Sequence, residues 1–394
     1  MKKIGFVVPW FADNIPGGAE AALSGIVSHL FASGVDVEVL TTCVKQFSSD
    51  WNIDFYPQGP DTAAGVPIRR FPVRKRDYLA FDEVNIKLMS GTPVSIEEEY
   101  IFLKEMVNST ALYEYIDKHR DEYSLFVFIP YMFGTTYFGC QICPEKSVLI
   151  PCFHDESYAY FKRFKEVFKN QSGMIFLAEP ESVLAHELYD LTNVKTAVLG
   201  LGVDTNISGD ADSFRSKYDI NDPFILYAGR KDSGKNVDTL LDYFTAYKRR
   251  YPGDLKLVLI GGGEIDIPIR ALDDVIDLGF VPTQDKYDAY AASLLLCQPS
   301  TNESFSIVIM ESWLCGRPVL VHDQCAVTKS FAIESNGGLY FSDYPEFEGC
   351  LNYLRSNQEA TDTMGSLGRK FVLENYCWDV ITNKYVEFFE QVSR

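Results

Sequence analysis

One stretch of the chain, Gln298–Val321, reads QPSTNESFSIVIMESWLCGRPVLV. The apolar run Leu294–Cys297 precedes it and the apolar run Pro318–Val321 closes it, and both are typical of buried parallel strands. Between them, Ile307–Cys315 has no Gly or Pro and carries apolar residues at helical spacing. The order of strand, loop, helix and strand predicts one repeat of a parallel α/β sheet.

Two acids stand in this stretch, Glu303 in the loop and Glu311 about two turns into the predicted helix. We expect Ser304 or Ser306 to cap the helix and Gly316 to end it. Ligands of parallel sheets bind where a strand's carboxyl end meets a helix N-terminus, and free amides favour anions there. The acids would repel a phosphate, but they could accept hydrogen bonds from hydroxyls on either side of it. A sugar and a ribose fit this arrangement, whereas the alternative is two solvated acids.

The pattern Glu-Ser-Phe-Ser-Ile-Val-x-x-Glu-Ser-Trp-x-x-Gly-x-Pro-Val, which begins at Glu303, resembles the Glu-x7-Glu motif of the GT4-type retaining glycosyltransferases. It departs from many members at Ser306, where they have Gly, and at Ser312, where they have Ala. The resemblance implies the GT-B fold, an α/β architecture of two Rossmann-like domains that face a cleft. It also implies a C-terminal helix that crosses back to the N-terminal domain.

A length of 394 residues independently predicts two domains. With the resemblance, we expect an N-terminal, acceptor-side domain over residues 1–200 and a C-terminal, donor-side domain over 201–375. Residues 376–394 are then the returning helix. The segment Gly200–Asp204 resembles the hinge between the domains of this family, with Leu201 in place of the usual Asn.

A second anion site is predicted after the buried strand Pro223–Ala228. Arg230 and Lys235 lie five residues apart in a loop that leads into a helix, so both cations and the first-turn amides could converge on a diphosphate. This spacing matches the family's Arg-x4-Lys phosphate clamp, whereas a lone Arg or Lys is usually solvated. Gly261, Gly262 and Gly263 follow the next strand, and close packing is the favoured interpretation of them.

The N-terminal half begins with a predicted βαβ unit, in which the strand Ile4–Pro9 leads to Gly17-Gly18 and a helix. It lacks GxGxxG, which removes the best support for a dinucleotide oxidoreductase. In the resembled family, a Gly-Gly-x-Glu sequence at this place contacts donor phosphate or acceptor. That family also carries a His at the end of a later strand that contacts the transferred sugar, and His154 occupies this position after Ser147–Ile150.

The resemblance therefore implies catalytic roles for His154, Glu303, Arg230 and Lys235. The donor-binding residues that it implies are Gly18, Gly229, Arg230, Lys235, Gly279, Phe280, Val281, Glu303, Ser304, Phe305, Ser306, Ile307 and Glu311.

Basic residues cluster at two places in the N-terminal half. The densest cluster is Arg69, Arg70, Arg74, Lys75 and Arg76. The second lies in Tyr158–Lys169, a predicted amphipathic helix with Lys162, Arg163 and Lys165 between aromatic residues. A solvated helix face is one interpretation of this helix, and contact with an anionic bilayer or a polyprenyl-phosphate acceptor is the other.

Two further elements of this half are predicted from the residue pattern. Gly65–Val73 contains two prolines and is predicted as an edge strand. Ile96–His119 is predicted as one long helix.

Composition limits the class of protein. The 36 basic and 55 acidic residues give a net charge of -19, which argues against nucleic acid as a partner. The sequence contains no run of 18 apolar residues, so it predicts no membrane-spanning helix. The nine scattered cysteines indicate a reducing cytoplasm, with contact at the inner face of the membrane as the alternative for the basic helix. Cys140-x-x-Cys143, with Cys152 and His154 after it, has zinc-ligand types, but buried cysteines are the favoured interpretation.

We therefore expect a retaining glycosyltransferase that moves a sugar from a nucleoside diphosphate sugar to a saccharide or lipid-linked acceptor, in cell-surface polysaccharide or glycoconjugate synthesis. Two cations and helix amides can neutralise the leaving diphosphate, so no metal or other cofactor is expected. Two alternatives stay open. One is a GT-B sugar-nucleotide epimerase or hydrolase, and the other is a catalytically silent GT-B subunit that binds a partner enzyme.

Overall fold

The computed structural model describes residues 2–13 and 18–393 of the chain. It divides into two compact units. The first unit comprises Met1–Gly202 with Trp378–Arg394, and the second comprises Val203–Cys377.

The first unit is built on an eight-stranded sheet in the order β3-β4-β2-β1-β5-β6-β7-β8. All neighbouring strands are parallel except β3 and β4. The strands are β1 (Lys3–Val8), β2 (Val37–Thr42), β3 (Gly59–Ala63), β4 (Val66–Phe71), β5 (Tyr123–Phe128), β6 (Ser147–Leu149), β7 (Gly173–Phe176) and β8 (Lys195–Val198). The helices that connect them are α1 (Gly18–Ala32), α2 (Tyr78–Met89), α3 (Ile96–Glu105), α4 (Thr110–His119), α5 (Gly134–Gly139), α6 (Lys162–Phe168) and α7 (Glu179–Leu188).

The strand order of this sheet reverses between β1 and β5, since β2 and β4 lie on one side of β1 and the later strands lie on the other. Such a switch point leaves a crevice at the carboxyl ends of the strands, which is the usual place for a ligand. The buried residues of β1, β2 and β5 form the centre of the unit's apolar core.

The prediction of an edge strand at Gly65–Val73 is wrong, because β4 lies inside the sheet between β2 and β3. Only Ile68–Arg70 pairs on both sides, so Pro67 and Pro72 both fall outside the segment that needs two rows of backbone donors. Ala64 and Gly65, with φ of 50° and 72°, form the two-residue turn that joins β3 to β4.

The prediction of one helix over Ile96–His119 is also wrong, because it is broken into α3 and α4. Ser109 caps α4 by accepting a hydrogen bond from Leu112 N at 3.3 Å. The Asn108 side chain donates to Leu103 O at 3.0 Å, so it satisfies a carbonyl at the end of α3. These two polar residues favour a break, although the apolar spacing continues through it.

The predicted helix Tyr158–Lys169 is two segments. A short 3₁₀ turn covers Ser157–Tyr160, and α6 begins at Lys162 after the non-helical Phe161. The buried Glu99 accepts hydrogen bonds from Lys162 N and Arg163 N, both at 3.0 Å, so it caps α6 from another helix. Sequence spacing carries no signal of that partner.

The second unit is built on a six-stranded parallel sheet in the order β11-β10-β9-β12-β13-β14. Its strands are β9 (Phe224–Ala228), β10 (Lys256–Ile260), β11 (Val275–Gly279), β12 (Leu295–Gln298), β13 (Val319–His322) and β14 (Gly338–Phe341). Its helices are α8 (Ala211–Tyr218), α9 (Val237–Arg250), α10 (Thr283–Ala292), α11 (Ile307–Leu314), α12 (Ala326–Ser335), α13 (Tyr344–Ser356) and α14 (Gln358–Asn375). The order reverses between β9 and β12, so these two strands define the switch point of this unit.

The helix α15 (Trp378–Val392) belongs to the first unit. The Trp378 ring stacks on His29 of α1, with ring centroids 4.1 Å apart. Tyr385 of α15 donates a hydrogen bond to Gly200 O at 3.1 Å. In the described part of the chain, no helix has the length and apolar character that a bilayer span requires.

Candidate functional site

Two loops of the second unit meet at its switch point. One follows β9 and contains Arg230 and Lys235, and the other follows β12 and contains Glu303. The carboxyl ends of both strands lie at the same edge of the parallel sheet, so chemistry far apart in sequence is brought together.

Glu303 and Lys235 form an ion pair across this switch point. Lys235 Nζ lies 2.7 Å from Glu303 Oε1, and both side chains are largely buried. Gln298, the last residue of β12, donates from Nε2 to the same oxygen at 3.0 Å. The Oε1 atom of Gln298 is buried and has no partner among the described residues. The hydroxyl group of a bound ligand could donate a hydrogen bond to Gln298 Oε1.

Glu311 is buried in α11 and is held by α10. Lys286 Nζ lies 2.6 Å from Glu311 Oε1, and Tyr290 donates its hydroxyl to Oε2 at 3.0 Å. Burial, followed by the charge of Glu311, raises the pKa of Tyr290 well above its usual value, so this tyrosine stays a donor. Glu311 is therefore fixed in one orientation.

Each of the two acids is thus paired with a lysine. The repulsion between two carboxylates and an anion is reduced, because Lys235 offsets the charge of Glu303 and Lys286 offsets that of Glu311. The remaining lone pairs of both carboxylates can still accept hydrogen bonds from hydroxyls.

Arg230 does not join Lys235. Its side chain is 69% exposed, and Nε lies 3.4 Å from Asp232 Oδ2. An exposed, weakly paired guanidinium can move to a ligand at little cost. The clamp by Arg230 and Lys235 stays a prediction.

The loop residue Ser306 adopts a left-handed conformation, with φ of 70°. It precedes α11 but makes no capping hydrogen bond, so the prediction of a serine cap fails at Ser306. Its hydroxyl is buried and has no partner among the described residues. The first-turn amides of α11 and this hydroxyl are the kind of donors that an anion binds. Positive φ also explains why Gly is common here in the resembled family.

Other predicted donor residues frame this loop. Phe305 is buried against Phe331 and Tyr376, with ring centroids 5.3 and 5.2 Å away. Ser304 and Ile307 are half-buried on either side of the Phe305–Ser306 pair.

Glycines bring the β9 and β10 loops together. A Cβ on Gly261 would lie 2.0 Å from Gly229 O, and a Cβ on Gly263 would lie 2.6 Å from Lys231 O. The packing interpretation of Gly261 and Gly263 agrees with these distances. Lys231 beside them is buried, and its Nζ lies 2.6 Å from Asp277 Oδ1, so it is committed to the fold.

The end of β11 presents a bare aromatic ring. Phe280 is 80% exposed and follows Gly279, which has a φ of 63°. The ring lies over Gly262, because a Cβ there would come within 2.5 Å of it. Val281 next to it is half-buried. An exposed ring at a ligand edge can stack on a planar base.

His154 lies in the first unit, in the segment that follows β6. Its Nδ1 is 3.7 Å from Glu156 Oε1, and Glu156 accepts a hydrogen bond from the Tyr131 hydroxyl at 2.9 Å. The nearby Glu181 accepts from Phe153 N at 2.7 Å. Burial raises the pKa of Glu181 to about 7, against the lowering effect of its backbone hydrogen bonds.

The other predicted residues of the first unit have different outcomes. Gly18 is the first residue of α1, whereas Gly17 lies outside the described residues. Arg163 is committed to the fold, since it donates to Ile96 O at 2.8 Å and lies over the Tyr100 ring. Lys162 and Lys165 are exposed.

Cys140 and Cys143 are buried, and burial raises the pKa of both thiols. Within residues 2–13 and 18–393, no three His, Cys, Asp or Glu side chains are grouped as metal ligands would be.

Three residues of the site were missed from the sequence. Lys286 and Tyr290 stand four apart on α10, a spacing that places them on one face of a helix and could have suggested a shared target. Gln298 is a polar residue at the end of a buried strand, which is a signal of a function at the sheet edge.

Comparison with known proteins identifies the family. The family model described as "Glycosyl transferases group 1" matches residues 210–371. A D-inositol 3-phosphate glycosyltransferase of Saccharomonospora viridis is 32% identical over 334 residues, which cover 77% of this chain and 73% of the relative. The chain belongs to the group 1, GT4-type glycosyltransferases. Matches to proteins of the same name from Rhodococcus erythropolis and Gordonia bronchialis are 29% and 26% identical, and they span only 40% and 51% of those relatives.

Solved structures show that this glycosyltransferase has the GT-B fold. Sucrose-phosphate synthase from Thermosynechococcus elongatus aligns with a TM-score of 0.70 at 15% identity, over 100% of this chain and 99% of that one. Anabaena HepE in complex with UDP-glucose aligns with a TM-score of 0.71 at 16% identity, over 99% and 100% of the two chains.

Proposed function

We propose that this protein transfers a glycosyl unit from a nucleoside diphosphate sugar to a saccharide or lipid-linked acceptor, with retention at the anomeric carbon. The observation that carries the proposal is the Lys235–Glu303 pair at the switch point, with the hydroxyl of Ser306, three residues after Glu303, left without a partner among the described residues. The two loops supply three kinds of group. Lys235 and the N-terminus of α11 suit a diphosphate, and Glu303 can accept hydrogen bonds from sugar hydroxyls.

Each group has a role in this proposal. Lys235 and Arg230 neutralise the charge that develops on the leaving diphosphate, and Glu303 accepts from hydroxyls of the transferred sugar. Glu311, held by Lys286 and Tyr290, accepts from the ribose. Phe280 stacks on the base.

The reaction proceeds on one face of the sugar. The bond between the anomeric carbon and the diphosphate oxygen breaks, and a bond to the acceptor oxygen forms on the same face. The acceptor's proton passes to the leaving phosphate oxygen, so no protein nucleophile is required.

We propose that the reaction is independent of a bound metal, because two cations and the α11 amides can stabilise the leaving group. Placement of the reaction in cell-surface polysaccharide or glycoconjugate synthesis is part of the same proposal.

The test is calorimetry of the purified protein with UDP-, GDP- and ADP-glucose, followed by transfer assays with and without EDTA. Binding of one donor, product with the same anomeric configuration as the donor, and activity that survives EDTA would support the proposal. Release of free sugar or an epimer in place of a transferred product would favour the hydrolase or epimerase alternative. Loss of activity in EDTA with rescue by Mn²⁺ or Mg²⁺ would contradict the metal-independent part.

A lipid-linked acceptor would bring the first unit to a bilayer surface. The exposed Lys162 and Lys165 are the candidates for that contact, whereas Arg163 is occupied by Ile96 and Tyr100. Replacement of Lys162 and Lys165 by Ser should weaken binding to anionic vesicles and raise the acceptor KM while donor affinity stays constant. Unchanged vesicle binding would favour the interpretation of Lys162 and Lys165 as part of a solvated helix face.

A further inference from the structure

Aromatic side chains gather at the switch point of the first unit. Trp10 follows β1 and Phe133 follows β5, and their ring centroids lie 5.0 Å apart. Trp51 and Phe47, from the segment after β2, pack against Trp10 at 6.2 and 5.9 Å. Segments after three neighbouring strands therefore build one aromatic wall at the carboxyl edge of the sheet.

Part of this wall is open to solvent. Phe47 is 59% exposed and Trp51 is half-buried, whereas Trp10 and Phe133 are buried behind them. Exposed aromatic faces at a switch point are where the apolar face of a ring-shaped ligand can pack.

Arg76 lies in this wall. Its guanidinium carbon is 4.6 Å from the Trp51 ring centroid and 4.5 Å from that of Phe81. The backbone of Arg76 is fixed as well, since its N donates to Asn52 Oδ1 at 2.7 Å and its O accepts from Asn52 Nδ2 at 3.2 Å. Arg76 follows β4, the next strand of the sheet after β2.

The head group of Arg76 has no acceptor among the described residues. The four other cations of the same basic cluster each have a partner in the protein. Arg69, Arg70 and Arg74 form ion pairs with Glu38, Asp61 and Glu105, respectively. Arg70 also donates to Phe11 O, and Lys75 donates to Asn52 O. Burial lowers the pKa of Arg76, and Asp82, Asp50 and Glu105 oppose this effect without forming an ion pair with it. A charged guanidinium that stacks on two rings and has no acceptor among the described residues keeps its planar donors available to an anionic ligand.

We propose that Arg76 and the wall of Trp51 and Phe47 bind an acceptor that carries an anionic oxygen group, a phosphate or a carboxylate, on a sugar-like ring. Arg76 receives the anion through its planar donors, and Phe47 receives the ring face. This inference rests on the proposed function, because it names the acceptor class of that reaction.

The test is calorimetry with three probes, glucose 6-phosphate, glucuronate and glucose, on the wild type and three variants. The wild type should bind one anionic probe at least about tenfold more tightly than glucose, and Arg76→Gln should lose that preference. Arg76→Lys should retain part of it, because the charge remains and the planar fork does not. Arg120→Gln removes an exposed cation elsewhere in the unit and should change nothing.

The better of the two anionic probes distinguishes a phosphate from a carboxylate. Equal binding of glucose and the anionic probes, an anion preference that survives in Arg76→Gln, or no binding of either anionic probe at millimolar concentration would overturn the inference. Near-ultraviolet circular dichroism checks that Arg76→Gln keeps the tryptophan packing.

Nucleoside diphosphate binding is measured in the same samples, because it depends on the second unit. If that binding is absent while Arg76-dependent anion binding is intact, the proposed function fails and the anion site stands. If nucleotide binding is intact and the anion preference is absent, only the acceptor inference fails.

Discussion

Lys235 Nζ lies 2.7 Å from Glu303 Oε1, so the lysine proposed to bind the diphosphate and the acid proposed to bind the sugar form an ion pair with each other. A sugar hydroxyl can bind the remaining lone pairs of Glu303, but a diphosphate that binds Lys235 must share its ammonium group with this carboxylate. Binding of a nucleoside diphosphate without a sugar therefore competes with an internal carboxylate for Lys235.

Glu303→Gln should release this competition. We expect bare nucleoside diphosphate to bind as tightly as in the wild type or a few-fold more tightly, because Lys235 loses its anionic partner. Transfer should fall by about 10- to 150-fold in kcat/KM, the value of a charged hydrogen bond, mainly through kcat. Calorimetry and steady-state kinetics measure the two effects. Glu374→Gln, on an exposed face of α14, is the control.

Glu311→Gln should behave differently, because Glu311 is assigned to the ribose that both ligands contain. We expect nucleoside diphosphate and sugar nucleotide to weaken alike, by about 10- to 150-fold. Tyr290→Phe removes only the hydrogen bond to Oε2 and should give a smaller loss with the same pattern. A Glu303→Gln variant that weakens the bare nucleotide as much as Glu311→Gln does would show that this division of roles is wrong.

Ser306→Gly should stabilise the second unit by about 1 kcal/mol. A left-handed conformation costs a residue with a Cβ roughly 1–2 kcal/mol, and the flexibility of Gly offsets about 0.5–1 kcal/mol of that gain. Differential scanning calorimetry should show a higher Tm for that transition. Ser306→Ala removes the hydroxyl but keeps the Cβ, so it separates the effect of the unpartnered hydroxyl from that of backbone strain. A lower Tm for Ser306→Gly than for the wild type would contradict the strain argument.

Glu181 should make stability depend on pH. Its folded-state pKa of about 7 is higher than the ordinary value of 4.5, so the folded chain holds a proton that the unfolded chain has lost. Stability relative to Glu181→Gln should therefore fall as pH rises from about 4.5 to 7 and stay level above that. Thermal unfolding of both proteins across this range measures it. Stability that instead rises across this range relative to Glu181→Gln would mean that folding lowers the pKa of the Glu181 carboxyl.

The sequence predicts much of the second unit because its elements follow local rules. The helix predicted over Ile307–Cys315 is observed over Ile307–Leu314, and the strand predicted over Pro223–Ala228 is observed over Phe224–Ala228. The strands are apolar runs next to Gly or Pro. The first unit is less predictable. The helix α2 was missed, because Tyr78, Leu79, Ile86 and Met89 expose apolar side chains on its outer face and blur the helical pattern.

The candidate site was predicted in its residue types but not in its pairings. The acids Glu303 and Glu311 stand out at a strand end and in a helix, whereas the distance from Glu303 to Lys235 depends on how β9 and β12 adjoin. Lys286 is ordinary in sequence, and only its approach to Glu311 from α10 marks it. Likewise, the sequence does not distinguish Arg76 from the other four cations of its cluster. Only the structure shows that those four have acceptors in the protein.

The placement of α15 has a consequence for the order of biosynthesis. The chain enters the second unit at Val203 and leaves it at Cys377, and these residues pair as a parallel bridge. On the ribosome, residues 203–377 emerge whole and can fold at once. The surface of the first unit that contacts Trp378 stays uncovered during this time. Gly25 and His29 can contact the Trp378 ring only after the second unit has been synthesised. A chaperone that binds nascent apolar surface should therefore act on the half that is translated first.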